Sequence, residues 1–421
     1  MFKVSDEIIV DIIDLDYKGD GIAKIDDHYI YIPGVLTGEK VKVKIIKIGK
    51  GFALGRVVEI INNSRMRVSK TSSLGSLSLS HLSFSEQLRW QEEVTIKTIN
   101  KVLKGNYQSE TIITDNVEYH YRNKVVFHVL DNKKIKLGLY KVNNRELEVC
   151  DNFILANLKV NKIIEEINNS NIIIDSQILK HLVFRNNEKN ELLITLVSYK
   201  RKFEGMNALI TVLKNNDSVK GITINIKDTK ENIMGSKSYL VYGDNLLEND
   251  LLLMNDRSFM QVNYGVMKLV YQTIKKHVYG NEIIDAYSGV GSIGFSIYNS
   301  DKKILMVDNN EENTKLAQLI KDKNNFDNID VVNGNAEDIL TKINAETIIV
   351  DPPRSGLKQE LIEEILLSKT NRVIYLSCDL QTLIRDLRVL TAKYEIQKIY
   401  PVKMFPQTSA FETLVVLEYL R

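Results

Sequence analysis

Cysteine is almost missing from this chain: 421 residues carry two, Cys150 and Cys378. Two thiols so far apart cannot staple a fold of this size, so a reducing cytosol is the expected home. Proline and glycine are sparse, at five and 21, and no low-complexity linker or internal repeat interrupts the chain. No apolar run reaches the roughly 18 to 20 residues that a membrane span requires, so no membrane partner is expected. The segment Met1 to Glu7 lacks the apolar core of a signal peptide. Charge of neither sign dominates: 56 Lys and Arg face 54 Asp and Glu, a net +2. Bulk charge therefore does not announce nucleic acid. What remains is an ordinary globular composition, 44% hydrophobic and 26% charged, long enough for two or three domains of roughly 100 to 200 residues.

Local charge is more informative. Residues 40–56 hold five lysines and one arginine and no acid. In Lys40-Val41-Lys42-Val43-Lys44 the period of two puts all three lysines on one face of a strand. Such a face suits a phosphate backbone; it equally suits a lysine-protected sheet edge. Around it, short alternating runs (Ile8 to Ile13, His28 to Ile32, Val41 to Ile46, Arg56 to Ile61) are separated by glycine turns. Residues 1–62 thus read as a small β-barrel of oligonucleotide-binding type.

Residues 63–250 read as a mixed α+β domain. Its helix at 86–104 is predicted from Leu88, Val94, Ile96, Ile99, Val102 and Leu103 at helical spacing, with Gly105 as its C′ residue. Leu192 to Val197 and Gly221 to Ile226 read as strands.

From about residue 251 the chain alternates strand and helix, which predicts an α/β, Rossmann-like domain with a parallel sheet and ligands at the carboxyl ends of its strands. Gly289-Val290-Gly291-Ser292-Ile293-Gly294 lies between a strand and a helix. Asp308 ends the next strand, at the offset of a ribose-binding acid. The pair fits a dinucleotide or the nucleoside of S-adenosylmethionine. Asp351-Pro352-Pro353-Arg354-Ser355-Gly356-Leu357 ends the fourth strand, a rigid loop that opens with a carboxylate. Cys378 ends the fifth. There it is a candidate nucleophile, or the small buried hydrophobe that most free cysteines are. Glu412 enters a last strand, Leu414 to Leu417, that otherwise reads as buried.

Taken in order, Gln261-Val262-Asn263, the glycine loop, the Asp351-Pro-Pro loop, Ser377-Cys378 with Thr382-Leu383 and Arg385-Asp386-Leu387, and Phe405-Pro406 with Glu412-Thr413 resemble the RNA uracil-5-methyltransferase family. Tyr121-Arg122-Asn123-Lys124 and His81-Leu82-Ser83-Phe84 with Gln87-Leu88 match weaker signatures of it, and the N-terminal unit resembles a TRAM domain. The resemblance implies a fold with a C-terminal methyltransferase domain and S-adenosylmethionine as cofactor. It implies Cys378 as nucleophile at uracil C6 and Glu412 as the base that removes the C5 proton. Gln261, Tyr287, Gly289, Asp308 and Asp351 become cofactor contacts. Lys40, Lys42, Lys44, Arg122, Lys124 and Arg354 become candidate RNA contacts. The expected partner is RNA, 23S rRNA first because of the TRAM-like unit. A tRNA uridine and a non-catalytic RNA-binding relative are the alternatives, and a nicotinamide oxidoreductase is a more distant one. No metal is required, and a monomer is the expected assembly.

The chain departs from the family at several places. Many members hold an iron–sulfur cluster through four cysteines; here Leu74 and Leu77 stand at two ligand positions and only Cys150 matches. One thiolate cannot hold such a cluster, so a cluster-free protein is expected. Asp379 and Leu380 replace the usual Asn and Pro, and Gln407 and Ala410 replace two histidines. Asp379 should disfavour a thiolate at Cys378 if it points the same way, and Arg354 or Arg385 could offset it.

Overall fold

A computed structural model describes residues 2–131, 133–142, 146–340 and 345–420, with Leu340 as backbone only. Three sheets organise them. The first has six strands in the order Glu7–Asp11, Lys40–Gly49, Phe52–Asn62, His28–Ile32, Gly21–Ile25, Asp14–Leu15. Val41, Val43 and Ile45 turn inward with Ile30, Ile32 and Ala53, all fully buried. The intervening lysines stay outside, as the period of two requires. Six strands form where four runs were expected. The extra pairing comes from the short segments flanking the Lys18–Gly21 turn.

The second sheet has seven strands, in the order Lys237–Gly243, Val219–Ile226, Leu192–Ser198, Leu179–Asn186, Lys124–Val129, Leu137–Tyr140, Leu147–Val149. Helices Leu158–Asn169 and Met206–Lys214 cover one face. Ile163, Ile164, Ile167, Leu209 and Leu213 pack there with Phe127, Leu182 and Phe184.

The third sheet runs Ile329–Asn333, Lys303–Asp308, Glu282–Ala286, Thr347–Val350, Arg372–Ser377, Glu412–Tyr419, Tyr394–Val402. The first five strands are parallel. The sixth, Glu412–Tyr419, is antiparallel to both the fifth and the seventh, so the all-parallel expectation is corrected. After helix Leu380–Leu390 the chain forms a hairpin, and its second arm, not its first, slots beside Arg372–Ser377. Strand Tyr394–Val402 went unrecognised because its Lys398 and Gln397 interrupt the apolar alternation on an exposed edge.

Helix Phe84–Leu103 packs on helix Leu380–Leu390 of this third unit. Its buried face is Gln87, Trp90, Gln91, Thr95 and Ile99; of the expected stripe, Val94, Ile96 and Leu103 pack partly buried on the same core and Val102 is exposed. The two glutamines are buried because they hydrogen-bond carbonyls of the loops they cover: Gln91 Nε2 donates to Val402 O at 2.8 Å, and Gln87 Nε2 to Leu82 O at 2.9 Å. Lys104, with φ 53°, makes the left-handed turn at the helix end that was expected of Gly105.

Candidate active site

Cys378 follows strand Arg372–Ser377, and Glu412 opens the neighbouring antiparallel strand. Ser377 pairs with Thr413. One more step along that register brings Cys378 opposite Glu412. The parallel neighbour on the other side, Thr347–Val350, delivers Asp351 at the same edge. The sheet therefore gathers three groups from three adjacent strand ends.

Their electrostatics reflect the crowding. Glu412 is buried, and its Oε2 has no hydrogen-bond partner. Burial, then the Asp351 carboxylate, holds Glu412 well above the ordinary carboxylate range, and Arg354 opposes this. Burial also raises Asp351, against one stabilising bond from Gln261 Nε2 at 3.1 Å. The Cys378 thiol is pushed up to about 12 by burial, then by Glu412 and Asp351, with Arg354 pulling it down.

The Asp379 carboxylate is engaged with backbone amides. It caps helix Leu380–Leu390, accepting from Gln381 N at 3.0 Å and Thr382 N at 2.9 Å, a role Asp fills as well as Asn. Arg385 is not a counter-ion to Cys378. It pairs with Asp386 at 2.7 Å and donates to the carbonyls of Ser355 and Leu357, bracing the Pro-Pro loop. Arg354 alone of the two faces the thiol.

Cys378 opens into a cleft of about 450 Å³. Arg122, Arg354, Gln381, Thr408 and Phe411 line it, together with Tyr17 and Lys18 from the N-terminal sheet. Lys40, Lys42 and Lys44 do not line it. Lys42 is paired with Glu7 at 2.7 Å, and the lysine row faces Glu7 and Asp11 across the strand pairing. Lys124 lies elsewhere too, in a separate pocket with Arg185 and Arg257. Burial and the Arg185 charge bring its ammonium down to about 8. The sequence of the basic run alone does not reveal the acids on the strand beside it.

The glycine loop leaves open space at its first glycine. Gly289 has φ 57°, and a Cβ there would meet nothing within 4 Å, so the position needs glycine for its backbone and leaves the space beside it open. Asp308 Oδ2 accepts from Gly289 N at 3.0 Å, and its Oδ1 accepts from Asn310 N at 2.9 Å. The Tyr287 hydroxyl and the Ser288 Oγ are buried without partners. Tyr287 itself takes φ 61°, a strained conformation for a residue with a side chain. Gln261 is held from behind, its carbonyl accepting from Asn123 Nδ2 at 2.7 Å. Within Tyr121-Arg122-Asn123-Lys124, Asn123 is thus the support behind Gln261, while Arg122 lines the cleft. Asp285 was not singled out from the sequence. It is fully buried, accepts from Gly294 N at 2.9 Å, and burial raises its carboxyl to about 8. An acid inside an apolar strand was its signal, the same one that marked Glu412.

Comparison with known proteins decides the family. The tRNA (uracil-5-)-methyltransferase model matches residues 86–345 and 337–420, and the TRAM domain model matches residues 2–58. The chain belongs to the tRNA (uracil-5-)-methyltransferase family. An uncharacterized RNA methyltransferase of Clostridium acetobutylicum is 30% identical, over 98% of this chain and 96% of that one. One from Enterococcus faecalis is 29% identical, over 99% and 98%. Among solved structures, Pyrococcus abyssi tRNA (uracil-54, C5)-methyltransferase in complex with S-adenosyl-L-homocysteine superposes with a TM-score of 0.80 at 20% identity. It covers 97% of this chain and all of its own. That likeness shows a common fold.

The family is one of RNA methyltransferases that use S-adenosylmethionine. The site accommodates that cofactor's chemistry. Two orphaned hydroxyls, a carboxylate at a strand end and an open glycine turn lie at the ligand edge of the sheet. Among the described residues no group of three or more His, Cys, Asp and Glu could hold a metal ion. No described helix is long and apolar enough to cross a membrane.

Proposed function

We propose that this protein methylates C5 of a uridine in 23S rRNA through a covalent bond between Cys378 Sγ and C6. The observation that carries the reading is the placement of a thiol and an orphaned carboxyl on neighbouring strand ends, beside a cleft rimmed by Lys18, Arg122 and Arg354. Bound S-adenosylmethionine supplies an electrophilic methyl group, and Gln261, Tyr287, Gly289, Asp308 and Asp351 would hold it. The chain's own work is then at the pyrimidine. The Cys378 thiolate adds to C6, and the electron pair of the C5–C6 double bond moves toward C5 and O4. C5 becomes nucleophilic and gains the methyl group. Glu412 takes the C5 proton, the C6–S bond breaks, and the double bond returns with the thiolate released. The uridine must leave its stack to enter, at roughly a few kcal/mol, least in a single-stranded loop.

A tRNA uridine is the second reading. The Pyrococcus abyssi fold match spans nearly this whole chain, so a fold of this extent is compatible with a tRNA substrate. The test is the same for both. The protein and its methyl donor are incubated with 5-fluorouridine-substituted 23S fragments and tRNA transcripts. Because fluorine cannot leave as a proton, an adduct resistant to denaturing gels is expected with one class and with Cys378 intact. Glu412→Gln should accumulate the same adduct on ordinary uridine RNA. Efficient methyl transfer by Cys378→Ala would sink the mechanism.

Leu74, Leu77 and Cys150 pack in one apolar core. Burial, ahead of any other cause, raises the Cys150 thiol to about 11. We infer a protein that folds without a cluster. Stoichiometric iron in anaerobically purified protein would overturn this.

A further inference from the structure

The N-terminal sheet contributes to the active-site cleft through one turn, Asp16 to Gly21, and through no lysine of its basic strand. The turn is locally fixed. Asp16 Oδ1 accepts from Lys18 N at 2.8 Å and from Asp20 N at 2.9 Å. Gly19 takes φ 79°, and a Cβ there would lie 2.7 Å from Leu79 Cδ2 and 3.5 Å from Ser409 Cβ. The turn is therefore seated directly on the loop that leads to Glu412. From the other side, Trp90 Nε1 donates to Asp16 O at 3.2 Å, and the Trp90 ring packs against Phe411 at 5.3 Å between centroids. Leu15 and Leu79 belong to the same core as Phe411. With the turn pinned at both ends, its two central side chains are the ones left outside: Tyr17 is 38% exposed, Lys18 is exposed, and both line the cleft that holds Cys378. Lys18 Nζ sits 5.5 Å from the Tyr17 ring centroid and has no carboxylate within salt-bridge distance among the described residues. Asp16 and Asp20 supply the nearest negative charge, and the Asp16 carboxylate is spent on backbone amides.

A rigid turn presenting one aromatic ring and one cation to a reaction cleft matches how proteins hold single-stranded RNA, by base stacking and phosphate contact. We propose that Tyr17 stacks on the nucleotide next to the extruded uridine and that Lys18 contacts its phosphate, so that this turn sets the sequence context of methylation. The inference rests on the uridine-methylating reading above. It makes the N-terminal domain a wall of the active site, with Tyr17 as a specificity-determining residue.

The test uses the full-length protein and the RNA fragment that traps it as a fluorouridine adduct. On the ordinary uridine form of that fragment, Tyr17→Ala should raise KM about tenfold, the scale of one lost base–aromatic stack, while kcat and S-adenosylhomocysteine binding hold. Tyr17→Phe should retain the wild-type KM. Lys18→Ala should lower the slope of log affinity against log salt by about one. Shortening the RNA by the flanking nucleotide on the stacked side should abolish the difference between wild type and Tyr17→Ala. A Tyr17→Ala protein with wild-type KM on the intact fragment overturns the proposal. Failure of the wild-type protein to form any adduct instead strikes the underlying chemistry, so the two failures are told apart.

Discussion

Gln261 Nε2 donates to the Asp351 carboxylate at 3.1 Å, joining a segment ahead of the glycine loop to the strand end that carries the Pro-Pro turn. Gln261 is itself fixed by Asn123, so a polar chain runs from the central domain into the cofactor edge of the sheet. Asp351→Asn keeps the shape and removes the charge. It should weaken S-adenosylhomocysteine binding at least tenfold, the scale of a hydrogen bond to a charged group. Titration calorimetry reads this directly, and unchanged affinity would count against Asp351 as a cofactor contact.

Activity should rise with pH. The Cys378 thiol is raised to about 12 by burial, Glu412 and Asp351, and Glu412 lies well above its ordinary value. Both groups act in their deprotonated forms, so each unit of pH below those values costs thiolate. The rate of adduct formation with fluorouridine RNA should climb steadily from pH 6 to pH 9. Arg354→Gln removes the one cation opposing both shifts and should move the whole profile to higher pH. A flat profile in the wild type would contradict the raised thiol.

Gln87 is fully buried and locks the loop before Glu412 to the first long helix. Its Nε2 donates to Leu79 O, Leu82 O and Gln407 Oε1, and its Oε1 accepts from Gln407 N at 2.9 Å. Gln87→Leu strands those partners in the interior, at about 1 to 3 kcal/mol. Thermal unfolding should show a lower midpoint, and kcat should fall as the loop loosens. An unchanged midpoint would mean that the loop is held by other contacts.

Lys403 is a lysine with no exposed surface, and its Nζ reaches only the Thr408 carbonyl, at 3.3 Å. Burial lowers it to about 7 from 10.5. Between those values the unfolded chain binds a proton that the folded one does not, so stability rises as pH climbs from about 7 toward 10.5. Below about 7 the buried ammonium carries its full penalty. Lys403→Met should raise the unfolding midpoint at pH 7 by about 4 °C and flatten the alkaline rise. A variant as pH-dependent as the wild type would show that another group is responsible.

Much of this site could be read from the residues. The glycine loop, Asp308, Asp351, Cys378 and Glu412 all sit at strand ends of a Rossmann-like sheet, where local pattern and chemistry point the same way. The antiparallel hairpin at the sheet edge was not readable, because one arm alternates poorly and the strand order is decided by tertiary packing. The partner of the basic strand at residues 40–49 was hidden for a related reason. Glu7 and Asp11 lie across from it on a strand thirty residues earlier, and Glu7 pairs with Lys42. Tyr17 and Lys18 had no signal beyond a turn, since their place at the cleft depends on how one domain docks on another.

Because Cys378 directly follows one strand and Glu412 opens its bonded neighbour, the separation of their backbones is set by the spacing of a β-ladder, roughly 5 Å. Substitutions at Asp379, Leu380 and Ala410, which line the cleft, can recolour its walls while that spacing is kept.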